Sequence, residues 1–340
     1  MSSGLQSKWE SDRKTAIIQR LYERFIPAIY GGIIGDALGV PHEFRERVSF
    51  PRVSGMEGHG THNQEPGTWS DDTSMTLCLI ENIIENGNQD TLMRKFVDYY
   101  KSGYWTPFGK MFDIGYATRR ALETYIQGTS AEECGQVGEH DNGNGALMRI
   151  APVAFTMGNN FDFPSLARNV EQYATITHAH PRSTLGCIIY SGLLFRLFYN
   201  DDFSRALDVV TELCEKHLIN TKYEKEFVSY EHLFNKSVKN LTMAEIVSDG
   251  YVVHSLEAAL WCCFQTGNFR DAVLAAVNLG GDTDTIGAIA GTLAGTFHKI
   301  DGIPGEWLGI IKRKDDIDNL LNRFCTNYPD FCNIDIRKEF

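Results

Sequence analysis

A chain of 340 residues, 43% hydrophobic and 22% charged, can bury a large core and has the balance of a soluble globular protein. Its formal net charge of −12 argues against nucleic-acid binding through a general basic face. Met1 to Arg20 lack the apolar core of a signal peptide, and no apolar run reaches the roughly eighteen residues of a membrane span, so a cytoplasmic protein without membrane association is expected.

Ile17, Ile18, Leu21 and Phe25 recur at helical spacing and predict a helix from about Arg13, docked on the core; a protruding arm is the alternative. Residues 26–39 are apolar and rich in glycine, which permits close helix–helix approach. Asp36 is a lone acid in that run, read as a helix–helix hydrogen bond. Val40 to Phe44, with Glu43, ends the helix. Residues 45–69 form an irregular loop broken by Gly55, Gly58, Gly60, Pro66 and Gly67. Ser70 or Asp71 then caps a helix through Met75, Leu79, Ile80, Ile83 and Ile84. A short helix over 91–101 follows. Phe112-Asp113-Ile114-Gly115 precedes a helix through Ala117, Ala121, Leu122 and Tyr125. Residues 128–145 are a loop ending in Asn142-Gly143-Asn144-Gly145. Further helices are predicted over Leu166–Thr175, Leu185–Tyr199, Phe203–Leu218, Ser255–Phe264, Phe269–Asn278, Thr285–Phe297, Trp307–Ile311 and Ile317–Phe324. Residues 220–240 are charged and polar and read as a surface insertion. Almost no stretch alternates with the period of a strand. One compact all-α domain is therefore expected, without repeats or a Pro/Ser-rich linker. None of the eight cysteines forms a C-x-x-C pair, and several lie in apolar runs, as reduced buried thiols do.

Two acidic stretches stand at predicted helix starts: Ser70-Asp71-Asp72-Thr73 and Gly280-Gly281-Asp282-Thr283-Asp284-Thr285. Each reads either as an N-cap alone or as part of a metal site. A cap needs one side chain, and these stretches offer several. Carboxylates with Ser and Thr hydroxyls suit a hard cation such as Mg²⁺ or Mn²⁺. The charges of the acids would outweigh the partial positive charge of a helix N-terminus. Asn142 to Gly145 offers backbone N–H groups to an anion. His59, His62, His178 and His180 lack the partners of a recognised zinc pattern.

These motifs occur together and in order. Gly35–Glu43, Gly67–Met75, Phe112–Gly115, Asn142–Pro152, Thr177–Pro181 and Gly280–Gly291 give the chain a pattern that resembles the ADP-ribosylglycohydrolase family, which includes ADP-ribosylarginine hydrolases and the dinitrogenase reductase-activating glycohydrolase. The resemblance covers roughly residues 26–305. It implies an orthogonal all-α fold with a dinuclear Mg²⁺ or Mn²⁺ site at helix N-termini. Carried over by residue, it implies metal ligation by Ser70, Asp71, Asp72, Asp282, Asp284 and Thr285, and catalytic roles for Asp113 and Glu43. It implies that Gly115 and Tyr116 face a diphosphate, that Asn144 and Gly145 line an ADP-ribose groove, and that His178 sits beside the ligand. The implied activity is hydrolysis of ADP-ribose from modified proteins, with arginine as the acceptor because Asp113 is present, and with ADP-ribose as product.

Residues 1–25 then form an N-terminal extension, 26–305 the catalytic domain, and 306–340 C-terminal helices packed on the same domain. Some family relatives act as immunity proteins against ADP-ribosylating toxins, so occlusion of a cognate toxin by the extension is one alternative function. A non-catalytic ADP-ribose binder is another, and a hydrolase of a different nucleotide-sugar bond is a third. A monomer is the default expectation.

Overall fold

Two glycine-rich helices lie against each other at backbone contact, and the rest of the chain packs around them. The computed structural model describes residues 15–158 and 161–331. Helix α1 spans Ile26–Gly39 and helix α10 spans Thr283–His298. Gly31 and Gly35 share a face of α1, and Gly287, Gly291 and Gly295 share a face of α10, because a spacing of four returns to the same side of a helix. The helices run antiparallel. A β-carbon on Gly31 would lie 2.1 Å from the Gly291 carbonyl oxygen, and one on Gly39 would lie 2.3 Å from the Asp284 Cα. Only glycine permits this approach. Its result is positional: the end of α1, leading to Glu43, abuts the start of α10 with Asp282 and Asp284.

Helix α2 (Asp71–Ile84) is buried along its whole length. Its N-terminus is fastened to α1 by Asp36, which accepts hydrogen bonds from Ser70 N at 2.9 Å, Thr73 N at 3.1 Å and Thr73 Oγ1 at 2.6 Å. The lone acid of α1 thus satisfies N–H groups left open at the start of another helix. Helix α3 is Gln89–Ser102 and α4 is Tyr116–Ile126. Helices α5 (Phe163–Ala174), α6 (Pro181–Phe198) and α7 (Phe203–Leu218) follow, then α8 (Val252–Gln265) and α9 (Phe269–Val277). Helix α6 is buried at nearly every position and packs on α5, α7, α8 and α10. Helix α11 (Lys314–Phe331) covers α2. Among the described residues no β-sheet forms, only isolated bridges such as Arg45 with Gly281. The all-α architecture expected from the sequence is the one observed, and among the described residues no helix is long and apolar enough to cross a membrane. The seven described cysteines are free and buried.

Two details differ from the sequence reading. Residues 220–240 are not an exposed insertion. Tyr223, Tyr230, Leu233 and Val238 are buried, and Glu226 is buried against Arg182 at 2.8 Å. Buried positions recur every three to five residues there, within short 3₁₀ and α turns, and the charges between them mask the pattern. At the other end, no break separates residue 25 from residue 26. Residues 15–20 are helical, Leu21–Phe25 is a π-turn, and the chain runs straight into α1. Leu21 and Phe25 are buried, and Arg24 donates to the Thr296 and Phe297 carbonyls at the end of α10 at 2.7 and 2.8 Å. The stretch expected as an extension is, from residue 15 onward, part of the body; residues 1–14, on which an occluding arm would depend, lie outside the described residues.

Candidate active site

The turn before α10 begins with two glycines in the left-handed region, Gly280 at φ 73° and Gly281 at φ 74°. Gly281 is held on both sides, since it donates to the Arg45 carbonyl at 2.8 Å and accepts from Phe44 N at 2.7 Å. A β-carbon there would strike the Ser248 carbonyl oxygen at 2.0 Å. The turn therefore binds the segment after Glu43 directly to the segment before Asp282. Arg47 reinforces it by donating to the Leu279 carbonyl at 2.9 Å and the Ile246 carbonyl at 2.7 Å.

The two acidic stretches meet. Thr285 Oγ1 donates to Asp72 Oδ2 at 3.3 Å, and Ser70 Oγ donates to the same oxygen at 3.1 Å. Ser70 also caps α2, accepting from Asp72 N at 3.3 Å. One ligand oxygen each from Glu43, Asp282 and Asp284 lies within 4.8 Å of the others. Glu43 also belongs to a second group, with His62 and Asp113, of the same compactness. Asp71 Oδ2 accepts from Gly115 N, the N-cap residue of α4, at 3.3 Å. Thr283 takes no part: it is buried and donates to the Gly39 carbonyl at 2.8 Å, holding α10 to α1.

Like charges this close, shut away from water, must hold protons or a cation. Burial, followed by Asp36 and Asp71, holds Asp72 well above the usual carboxylate range. Burial, then Asp113 and Glu43, does the same to Asp71. Asp284 is raised by burial, then by Glu43 and Asp72. Asp282 is raised by burial, against a hydrogen bond from Asn144. Burial pushes Glu43 up to about 7, opposed by its hydrogen bond to His62. Asp36 goes up to about 6 through burial, although its hydrogen bonds pull it down. Asp72 Oδ1 is buried with no hydrogen-bond partner. An orphaned carboxylate oxygen among crowded acids fits a bound cation, and an all-oxygen set of carboxylates and hydroxyls fits a hard one.

The other predicted residues lie around this centre. Asp113 joins Glu43 and His62, and its carbonyl accepts from Tyr99 OH at 2.5 Å. Asn144 does not have a free amide, because Nδ2 donates to Asp282 Oδ2 at 2.7 Å and to Ser255 Oγ at 2.9 Å. It fixes Asp282 in place. Tyr116 is 65% exposed at the start of α4, with the Arg119 and Arg120 guanidiniums 5.7 and 5.5 Å from its ring centre. Gly145 lies against His178, which is buried. Two participants carried no spacing signal. His62 bonds Glu43 through Nε2 from the loop before α2. Thr118, one turn into α4, is buried with an unpartnered hydroxyl beside Gly145.

Comparison with known proteins gives this arrangement a context. The ADP-ribosylglycohydrolase family profile matches residues 18–330. An ADP-ribosylarginine hydrolase Tri1 of Serratia proteamaculans is 35% identical over 310 residues, covering 89% of this chain and 79% of the relative. The protein of the same name from Pseudomonas putida is 31% identical, covering 96% of this chain and 85% of its own. The ADP-ribosyl-[dinitrogen reductase] glycohydrolase of Rhodospirillum rubrum is 30% identical over 86% of this chain and 92% of the relative. A solved structure of an ADP-ribosylglycohydrolase-related protein complex superposes with a TM-score of 0.75 at 28% identity, covering 93% of this chain and 99% of that one.

Proposed function

This chain belongs to the ADP-ribosylglycohydrolase family of hydrolases, and from that premise we propose that it removes ADP-ribose from arginine side chains of modified proteins, using divalent cations held by its two acidic stretches. The observation that carries the reading is the meeting of Asp72 with Thr285, and of Glu43 with Asp282 and Asp284, from three separate parts of the chain. Two relatives that share about a third of its residues are named ADP-ribosylarginine hydrolases.

Asp71, Asp72, Asp282 and Asp284, with the hydroxyls of Ser70 and Thr285, would hold two Mg²⁺ or Mn²⁺ ions. Bound there, the cations supply Lewis acidity toward ribose hydroxyls and a water molecule. The chain's own groups do the rest. Glu43, a buried carboxylate beside Asp282 and Asp284, would take the proton from water. His62 holds that carboxylate in place through Nε2. Asp113 lies beside both and stabilises the positive charge that develops at the anomeric carbon. A glycosylated guanidine is itself a strong base and already carries a proton, so its departure needs no separate acid. Asn144 keeps Asp282 aimed at the centre.

The test is hydrolysis of peptides ADP-ribosylated on arginine, serine or cysteine, with Mg²⁺, with Mn²⁺ and with chelator. Release from the arginine-linked peptide that depends on added cation is expected. Activity confined to the serine-linked peptide would sink the arginine assignment, and full activity in chelator would sink the metal assignment.

A further inference from the structure

Beneath the Asn142 to Gly145 turn runs a buried polar chain that the acidic centre does not use. Arg149 is fully buried, with its guanidinium 4.7 Å from the centre of the Phe96 ring. Its Nη1 donates to the Tyr173 carbonyl at 3.2 Å, and its Nη2 donates to Thr177 Oγ1 at 2.8 Å. Thr177 Oγ1 lies 2.9 Å from His178 Nδ1. All three residues are buried.

The directions of these bonds follow from chemistry. A guanidinium has only donors. Thr177 Oγ1 accepts from Arg149, and His178 Nδ1 is the other group bonded to it among the described residues, so the hydroxyl hydrogen is satisfied when it is donated to that nitrogen. That ring nitrogen is then an acceptor, and a neutral imidazole accepting at Nδ1 carries its hydrogen at Nε2. Burial, followed by the charge of Arg149, pushes His178 down to about 3, so the ring stays neutral.

The Nε2 edge faces a space kept open by glycine. A β-carbon on Gly145 would lie 2.8 Å from His178 Cε1, 3.2 Å from Nε2 and 3.0 Å from Thr118 Oγ1; one on Gly143 would lie 3.5 Å from Nε2. Oγ1 of Thr118 is buried without a hydrogen-bond partner among the described residues, and the ring bond of His178 to Thr177 is made through Nδ1, on the other side of the ring from Nε2. Thr118 is 1% exposed, and a buried hydroxyl without a partner is costly unless a ligand atom supplies one. Thr118 lies in the first turn of α4, where the helix favours negative charge.

We propose that Arg149 and Thr177 are positioning residues that fix His178 as the neutral Nε2–H tautomer, so that this N–H and the Thr118 hydroxyl donate together to a phosphate oxygen of a nucleotide seated over Gly145. The nucleotide half rests on the reading of the protein as an ADP-ribosyl hydrolase; the tautomer half does not. A donor pair without charge holds its ligand equally through the neutral and mildly acidic range, where an ionising histidine would not.

The experiment is ¹⁵N-histidine NMR on the full chain without ligand, with His178 assigned from the signal lost in His178→Gln, alongside calorimetric titration of ADP-ribose in Mg²⁺. The wild-type spectrum is expected to show an unprotonated Nδ1 and a protonated Nε2 from mildly acidic to mildly alkaline pH. Thr177→Val should mix the tautomers and weaken ADP-ribose about tenfold, and Thr177→Ser should restore both. Thr118→Val should weaken ADP-ribose to a similar degree with the tautomer unchanged. A wild-type Nδ1–H tautomer, or a Thr177→Val protein with wild-type spectrum and affinity, overturns the proposal. A wild-type protein that binds no ADP-ribose overturns the functional reading and the phosphate contact with it, while the spectrum alone still decides the relay.

Discussion

Gly35 and Gly287 touch backbone to backbone: a β-carbon on Gly35 would lie 1.9 Å from the Gly287 carbonyl oxygen. Neither helix can make room without pulling Glu43 away from Asp284. Gly35→Ala is expected to lower stability by about 3 kcal/mol or more, the upper end for overpacking. Gly55→Ala is the control, since a β-carbon there meets nothing within 4 Å. Urea denaturation of the two variants makes the comparison, and equal midpoints would show that the contact does not constrain the fold.

Asp72 and Asp284 repel their neighbours when no cation is present. Asp72→Asn and Asp284→Asn should each cost hydrolysis at least about a hundredfold, since under the proposed metal assignment each removes a charge that would hold a cation. In chelator the same variants should melt higher than wild type, by about 1–2 kcal/mol of stability, because one like charge is gone. A variant both inactive and less stable in chelator would mean that the carboxylate has a structural role.

The acids also set a pH dependence. A carboxyl raised in the native state keeps a proton that the unfolded chain has already lost. Stability therefore falls as pH rises from the ordinary carboxylate range through the folded values. Asp36 (about 6), Glu43 (about 7), Asp71, Asp72, Asp282 and Asp284 all act this way. His42, His178 and His298, all lowered, act oppositely below their usual value of 6.5, whereas Glu257, His62 and His254, all raised, act with the acids. The chelated protein should melt higher near about pH 5.5 than near about pH 8. Added Mg²⁺ or Mn²⁺ should stabilise most at the higher pH, where the ligands have lost their protons. Thermal melts at both values, with and without metal, decide it; a chelated protein more stable at the alkaline value would refute the sign.

Asp113 separates chemistry from binding. Asp113→Asn should slow release from arginine-linked substrate by about a hundredfold, within the range for a positioned acid–base or charge-stabilising group. ADP-ribose affinity should change little, because the acidic ligands remain. Steady-state kinetics and product titration together test this, and an equal loss in both would make Asp113 a binding residue.

Much of this was legible in the sequence. The acidic stretches announced themselves because a helix cap needs one side chain and each offered several. The glycine content of residues 26–39 signalled close helix packing. What could not be read were partners distant along the chain. Nothing near Asp36 says that it caps α2, nothing near Asn144 says that its amide is committed to Asp282, and nothing near His62 says that it meets Glu43. Residues 220–240 misled because surface charge is visible in composition, whereas burial at intervals of three to five residues within short turns is not.

The antiparallel seating of α10 on α1 also bears on biosynthesis. Residues 26–39 leave the ribosome early and wait for residues 283–298, so the two halves of the centre are united only when most of the chain has been made. Contacts of such long sequence separation form slowly, and an apolar helix left without its mate is exposed to aggregation meanwhile. A nascent or prematurely terminated chain that lacks α10 carries Asp71 and Asp72 but no facing acids, and should be catalytically silent.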